Sequence, residues 1–148
     1  MSIMKRIAAL AAVGAIAAVS STAWADDHAY TEGQVVNITA VRTEYGRFDD
    51  YLKYLDSTWK KSQEASLKRG YITGYKVLTA EPRGPNDPDL YLVVFYKNWA
   101  ALDGGLAKGD EIAKLVEGSV TASNQGAVDR NKMRRIIGSE TVQEALLK

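Results

Sequence analysis

Residues 90–97, LYLVVFYK, constrain the fold more than any other segment, because they read as a β-strand that is apolar on both faces. Successive side chains of a strand point to opposite sides of its sheet. One alternate set is Leu90, Leu92, Val94 and Tyr96, and the other is Tyr91, Val93 and Phe95. A strand with this pattern must be covered on both sides. The fold therefore has to supply two covering layers.

Two other segments before residue 90 have strand composition. Residues 35–45 (VVNITAVRTEY) are rich in β-branched and aromatic residues and contain no glycine or proline, and residues 71–80 (YITGYKVLTA) are similar. All three prolines fall within residues 81–89, so this stretch is a loop. We therefore predict an antiparallel hairpin of residues 71–80 and 90–97 with a long, exposed tip.

The closing segment, residues 133–147 (MRRIIGSETVQEALL), should contain a fourth strand. The sequence leaves open whether that strand lies before or after Gly138.

Two regions have helical spacing. Apolar residues recur three or four apart in the first region, at Phe48, Tyr51, Leu52, Leu55 and Trp59. Asp49 and Asp50 lie in its first turn and Gly70 follows its end, as expected for a helix. The second region begins at Trp99 and extends to about residue 132, and we expect its glycines, Gly104, Gly105 and Gly109, to interrupt it around the lip of a pocket.

The predicted order is β-α-β-β-α-β, which is typical of a ferredoxin-like α+β fold with two helices on one face of an antiparallel sheet. The two helices cover one face of the strand at residues 90–97 and leave the other apolar face bare. A bare apolar sheet is an association surface. We therefore predict a homodimer whose two sheets face each other.

Residues 1–25 read as a secretory signal peptide, with Lys5 and Arg6, an apolar run at residues 7–19, and the small-x-small sequence Ala23-Trp24-Ala25. The apolar run is shorter than the roughly 20 residues of a membrane-spanning helix. We predict a flexible lead at residues 26–34 and one domain at residues 35–148. The expected location is the periplasm or outside a bacterial cell, with no membrane attachment after cleavage.

Charge and cysteine content exclude several classes. The chain has no cysteine, so neither a disulfide nor a lipid-modified cysteine can form. Removing Lys5 and Arg6 leaves 17 basic against 18 acidic side chains, a net charge of −1. Nucleic-acid binding requires a basic surplus or stripe, so we predict no nucleic-acid partner.

The chain resembles the dimeric α/β-barrel superfamily, near its NIPSNAP-like, EthD-like and antibiotic-biosynthesis-monooxygenase-like domains. The resemblance covers about residues 33–148. It rests on the first strand with YGRFDDYLKYL, on LYLVVFY running into NW, and on RRIIGSETVQEALL. It implies the fold and dimerisation. Members of the superfamily include cofactor-independent oxygenases, haem-degrading enzymes, lyases and isomerases. The haem degraders bind iron through a histidine in the folded domain, whereas this chain has only His28, in the lead.

We therefore predict no cofactor. The glycines of GGLAKGD match neither a dinucleotide fingerprint nor a phosphate loop. Asp49 and Asp50 are adjacent on a helix and point about 100° apart, so they do not converge on a cation. Cleavage after Ala25 would place His28 third behind a free amine, a set suited to Cu(II) or Ni(II) in vitro. We predict no biological metal site.

Related domains hold ligands between the sheet and its helices, and the resemblance implies such a site here. The candidate ligand-binding residues are six aromatic and two polar side chains: Tyr51, Trp59, Tyr75, Tyr91, Tyr96, Trp99, Asn37 and Arg42. Asn37 and Arg42 have opposite parity on one strand, so only one of them can face a given side. The alternative interpretation is that the aromatic residues simply fill the core.

Three functions stay open at this point. The chain is a small-molecule-binding protein whose ligand is apolar or aromatic, or a cofactor-independent oxygenase, lyase or isomerase, or a non-catalytic assembly or stress-related module. A deep apolar pocket favours binding, a buried Tyr–Arg or Tyr–Asn pair in that pocket favours an enzyme, and a filled core favours assembly.

Overall fold

The computed structural model describes residues 28–148, so the predicted signal peptide and the residues Asp26 and Asp27 lie outside the described part. The elements, in chain order, are β1 (Tyr30–Thr43), α1 (Phe48–Tyr54), a π-helical turn (Leu55–Trp59), α2 (Lys60–Lys68), β2 (Gly74–Thr79), β3 (Leu90–Tyr96), a 3-10 turn (Trp99–Leu102), α3 (Gly105–Glu117), α4 (Val120–Arg130) and β4 (Arg134–Leu147). Within residues 28–148, no helix is both long and apolar enough to cross a membrane.

The four strands form one antiparallel sheet in the order β2-β3-β1-β4. This order confirms the predicted ferredoxin-like α+β fold and the hairpin of β2 and β3. β4 runs through Gly138, so the fourth strand lies on both sides of that glycine. Ala40 pairs with Gly138 and Val41 with Ile136, which leaves Ile137 as the extra residue of a bulge.

The bounds of β1 differ from the prediction. The strand begins at Tyr30, inside the stretch that we assigned to the lead, because Tyr30 pairs with Leu147 at the far end of β4. It ends at Thr43, where the buried Asp89 side chain accepts hydrogen bonds from the Thr43 backbone N–H (3.0 Å) and hydroxyl (2.5 Å). Long-range pairing thus sets both ends of the strand.

The first helical region is continuous from α1 through the π-helical turn to α2, and Gly70 follows it with a positive φ of 69°, as expected. The second region is divided into the 3-10 turn, α3 and α4. Only Gly104, with φ 68°, interrupts it as predicted; Gly105 and Gly109 lie inside α3, so their assignment as breaks was wrong. A second break follows at Gly118, with φ 84°.

The core lies where α1 and the π-helical turn cross β1 and β3. Val41, Tyr51, Leu55 and Leu90 are buried and pack against one another. The register places Leu90, Leu92, Val94 and Tyr96 on this helix-facing side, as the alternation predicted.

The opposite face of the sheet carries a mainly apolar set: Val36, Ile38, Ala40, Leu78, Tyr91, Val93, Phe95 and Val142. We call this set the open face. All four α-helices border one cavity on the other side of the sheet. No helix of residues 28–148 therefore covers the open face.

Candidate functional site

A cavity of about 400 Å³ lies between the sheet and the helices. Val94 and Tyr96 of β3 form part of its floor. Trp59 and α2 form one wall, and α3 with part of α4 forms the other. The site is thus built from both halves of the chain.

Small side chains on the two helical walls leave the space above the floor unfilled. Ser62 and Ser66 of α2 and Gly105 and Gly109 of α3 all line the cavity. Each pair is spaced by four residues, which places both members on one face of a helix. A methyl group at Gly105 or Gly109 would meet no other atom within 4 Å. The volume therefore follows from the sequence of both helices.

The π-helical turn affects which aromatic residues face this space. Tyr54 and Trp59 both line the cavity although they are five residues apart. In a regular α-helix, such residues point about 140° apart. The wider turn brings them to one side, and π turns within helices are frequent at functional sites.

One end of the cavity is polar, and its positive and negative charges are paired with each other. The Arg130 guanidinium lies 5.0 Å from the centre of the Tyr54 ring, and its Nη1 is 4.0 Å from Oε2 of Glu117. Both side chains of this ion pair are less than one fifth exposed. Burial raises the pKa of Tyr54, against the opposing effect of Arg130. The Tyr54 phenol therefore stays protonated at neutral pH and can donate a hydrogen bond.

A second phenol lies on the cavity floor. Burial raises the pKa of Tyr96 above its ordinary value of 10.0. Its hydroxyl is also a neutral donor at physiological pH. Tyr54 and Tyr96 thus present protonated phenols to the cavity, and neither of them is an anionic base.

Near the other end of the cavity, the segment that follows α2 contacts α3, and Tyr71 of this segment lines the cavity. The Tyr71 hydroxyl donates to Glu111 Oε2 (2.5 Å), and Arg69 forms an ion pair with the same carboxylate. The Tyr71 hydrogen bond, helped by Arg69, lowers the pKa of Glu111. Lys108 lies beside this group: its Nζ donates to the Ala101 carbonyl (2.9 Å) and is 5.4 Å from the Tyr71 ring centre.

Three of the aromatic candidates lie near this space. Trp59 and Tyr96 line the cavity. Tyr75 meets Trp59 edge-on, with ring centres 5.5 Å apart, and these two residues line a second, smaller pocket of about 190 Å³. The structure therefore places Trp59 and Tyr96 in the lining of the cavity and Tyr75 beside it, in contact with Trp59.

Three other candidates lie elsewhere. Tyr51 is only 1% exposed and belongs to the core. Tyr91 is on the open face, and so is Arg42, whose Nη1 donates to the Asp87 carbonyl (3.4 Å). These side chains do not reach the cavity.

The last two candidates belong to a polar strip beside the cavity floor. The Asn37 amide donates to the hydroxyls of Ser139 (3.3 Å) and Thr141 (3.0 Å). Asn37 pairs with Val94, so this cluster is on the cavity side of the sheet, one strand away. Trp99 is half exposed, and its Nε1 donates to Gln143 (2.9 Å).

Tyr54, Lys108 and Arg130 also line the cavity, and the sequence patterns did not predict them. Tyr54 could have been found only by anticipating the π-helical turn, because regular spacing does not group it with Trp59. Lysine and arginine on helices are mostly solvent-exposed, so no signal distinguishes Lys108 or Arg130 in the sequence.

No group of three or more metal-ligating side chains of the His, Cys, Asp and Glu types occurs within residues 28–148. The candidate copper-binding sequence that ends at His28 includes Asp26 and Asp27, which lie outside the described residues.

No protein-family model matches the sequence, and no curated protein is significantly similar to it. Several solved structures resemble the fold, and three of them are described here. HapK from Hahella chejuensis has a TM-score of 0.51 and 11% identity, over 74% of this chain and 91% of that chain. Protein SO0527 from Shewanella oneidensis has a TM-score of 0.49 and 11% identity, over 79% and 96% of the two chains. A dimeric ferredoxin-like protein from an uncultured marine organism has a TM-score of 0.49 and 9% identity, over 80% and 90%.

At this level of identity the likeness to HapK concerns the fold alone. Together with the strand order β2-β3-β1-β4, it identifies residues 28–148 as a ferredoxin-like α+β domain.

Proposed function

We propose that this chain is an exported homodimer that binds a small, largely apolar or aromatic molecule in the cavity between its sheet and helices. The observation that carries the proposal is the cavity of about 400 Å³, lined by Trp59 and Tyr96 and kept open by serine and glycine. Ligand pockets typically have volumes of about 300–1,000 Å³.

The lining of the cavity supports a ligand. The cavity is open to solvent on one side, where Gly105 and Gly109 are exposed, so its apolar lining contacts water when it is empty. Removing apolar surface from water contributes about 25 cal/mol per Å². An apolar molecule seated against Trp59 and Val94 would gain this contribution.

Binding can be measured with N-phenylnaphthylamine, a neutral aromatic probe that fluoresces in apolar surroundings. Ala113 lines the cavity, so Ala113→Phe should fill it and weaken probe binding by about tenfold or more. Ala107 is exposed on the same helix and does not line the cavity, so Ala107→Phe is the matched control. Equal probe affinity in both variants would contradict the proposal.

A cofactor-independent oxygenase, lyase or isomerase is the second candidate, and the Tyr54–Arg130 pair favours it. A protonated phenol beside a guanidinium could polarise a ligand oxygen in a dry site. Arg130 stacks on the ring face, however, and Glu117 offsets its charge. The test is whether the protein converts a bound ligand to a product. If it does, and if Tyr54→Phe still binds the ligand but no longer converts it, the protein is an enzyme.

The open face supports the homodimer. Its centre, at Ile38 and Val93, is apolar, while Lys76 of β2 and Glu140 of β4 lie toward its two edges. An apolar centre with a charged rim is the usual anatomy of an interface. A second copy brings the same apolar face, which is self-complementary in a two-fold dimer.

Sedimentation of the mature chain tests the dimer. Ile38→Glu places a charge at the centre of the open face and should give monomers at micromolar concentration. Leu67 is 44% exposed on α2, away from the sheet, and Leu67→Glu should leave the dimer intact. A monomeric parent protein, or a dimeric Ile38→Glu variant, would refute this arrangement.

Export is proposed from the composition of residues 1–25. Cell fractionation with sequencing of the mature terminus tests it. We expect a periplasmic or secreted chain that begins at Asp26, and a cytoplasmic chain that retains residues 1–25 would contradict export.

A further inference from the structure

We propose that Lys108 makes the cavity selective for an apolar molecule that carries one anionic oxygen group, a carboxylate in the simplest case. This inference rests on the binding function proposed above and adds the chemical class of the ligand. It depends on where the Lys108 ammonium lies and on how the other charges around the cavity are paired.

The Lys108 ammonium lies at the cavity wall. Its Nζ donates to the Ala101 carbonyl (2.9 Å) and is 5.4 Å from the centre of the Tyr71 ring. Ala101, Tyr71 and Lys108 all line the cavity. Gly105 and Gly109 lie on the same helix as Lys108 and also line the cavity. Because glycine has no side chain, neither residue blocks the Lys108 ammonium from the cavity.

The other charged groups that line the cavity, Arg130 and Glu117, are paired with each other. Glu111 follows Lys108 by one turn of α3 but does not line the cavity, and its carboxylate is engaged by Arg69 and the Tyr71 hydroxyl. Within residues 28–148, no carboxylate lies within 4.0 Å of the Lys108 ammonium. The cavity thus has an ion pair at Arg130 and, at Lys108, a cation that has no ion-pair partner among the described residues.

An ammonium group has three N–H donors and no acceptor. The Ala101 carbonyl takes one of them, and the face of the Tyr71 ring offers a weaker, electrostatic contact. Lys108 is partly removed from water, where a charge-assisted hydrogen bond to an anion is stronger than at an exposed site. A ligand carboxylate at this end would complete the pairing while the apolar part of the ligand contacts Val94 and Trp59.

Competition between two matched ligands tests the proposal on the mature dimeric protein. N-phenylnaphthylamine reports on the cavity, and naphthoate and naphthamide compete for it; the two competitors share a ring system, but only naphthoate is charged. We expect naphthoate to displace the probe at about tenfold lower concentration than naphthamide, a ratio that one charge-assisted hydrogen bond supports.

Lys108→Met should bring the two competitors to within about twofold of each other, with each competitor measured against the probe affinity of the same variant. Lys114→Met removes the same charge from an exposed position of α3 and should retain the preference for naphthoate. Lys108→Arg keeps the cation and should also retain it.

The outcomes separate this inference from the binding function. If the probe binds and Ala113→Phe weakens it, but naphthoate and naphthamide compete equally or Lys108→Met keeps the preference, the role of Lys108 is refuted and the binding function stands. If Ala113→Phe leaves probe binding unchanged, both proposals fail.

Discussion

The two helical regions of this chain pack on the same side of the sheet but bury different numbers of side chains there. The first region, from Phe48 to Lys68, places Tyr51, Leu55 and Ala65 in the interior. The second region, from Trp99 to Arg130, contributes a single buried side chain within its helices, Ile112. The first region builds the core and also forms one wall of the cavity, whereas the second region mainly forms the other wall. The second region therefore contributes less to the packed core than the first.

The largest expected effect compares a core residue with a cavity residue. Leu55→Ala removes a side chain that packs against Val41, Tyr51 and Leu90, and should lower the free energy of unfolding by about 4 kcal/mol. Ile112 is also buried but borders empty space, so Ile112→Ala should cost only about 2 kcal/mol. Urea denaturation measures both. An equal or larger loss at Ile112 would show that α3 contributes as much packing as the first region.

The next effect compares two glycines of the second region. Gly104 has φ 68°, so Gly104→Ala should destabilise the protein by about 1 kcal/mol. Gly109 is inside α3 and a methyl group there meets nothing within 4 Å, so Gly109→Ala should stabilise it by about 0.5–1 kcal/mol. Thermal denaturation gives the sign of each change. A loss of stability in Gly109→Ala would mean that the glycine is needed by the fold rather than by the cavity.

The smallest effect concerns the contact that joins the two regions, Glu111 with Tyr71 and Arg69. The pKa of Glu111 is lowered by the Tyr71 hydroxyl and Arg69, so the folded state binds its proton less tightly than the unfolded chain does. This contribution to stability is complete above the ordinary pKa of 4.5 and is lost as the pH falls through the lower, folded value.

Glu111→Gln should therefore be less stable than the parent protein at pH 7, and the difference should shrink steadily in acid below pH 4.5. Denaturation curves at several pH values measure the difference. Glu64→Gln, at an exposed position of α2, is the control and should show a smaller difference at pH 7. A difference for Glu111→Gln that persists in acid would exclude its charge as the cause.

The sequence predicts the fold well because alternation and helical spacing are local signals. The residues of β3 alternate as expected, and the helix from Phe48 has the predicted apolar face. The start of β1 at Tyr30 could not be predicted, because it depends on pairing with Leu147 more than a hundred residues away.

The candidate site could be predicted only in part. Aromatic spacing identified Trp59 and Tyr96, which line the cavity, and also Tyr51, which is in the core. Helical periodicity assigns a residue to a face, but not to the filled or the empty part of that face. Lys108 and Arg130 line the cavity because α3 and α4 pack beside the first helical region. This packing depends on the whole fold and not on the sequence near either residue.

The π-helical turn at Leu55–Trp59 makes the length of this helix as important as its composition. If residues 55–59 had regular α-helical geometry at the same chain length, every later residue would be rotated by about 100°. Ser62 and Ser66 would then leave the cavity wall, and Ala65 would leave its buried position. Deleting one residue there, such as Ser57, would instead replace the π-helical turn by a regular turn and keep the later side chains on their present faces, because residues four apart share a face of an α-helix.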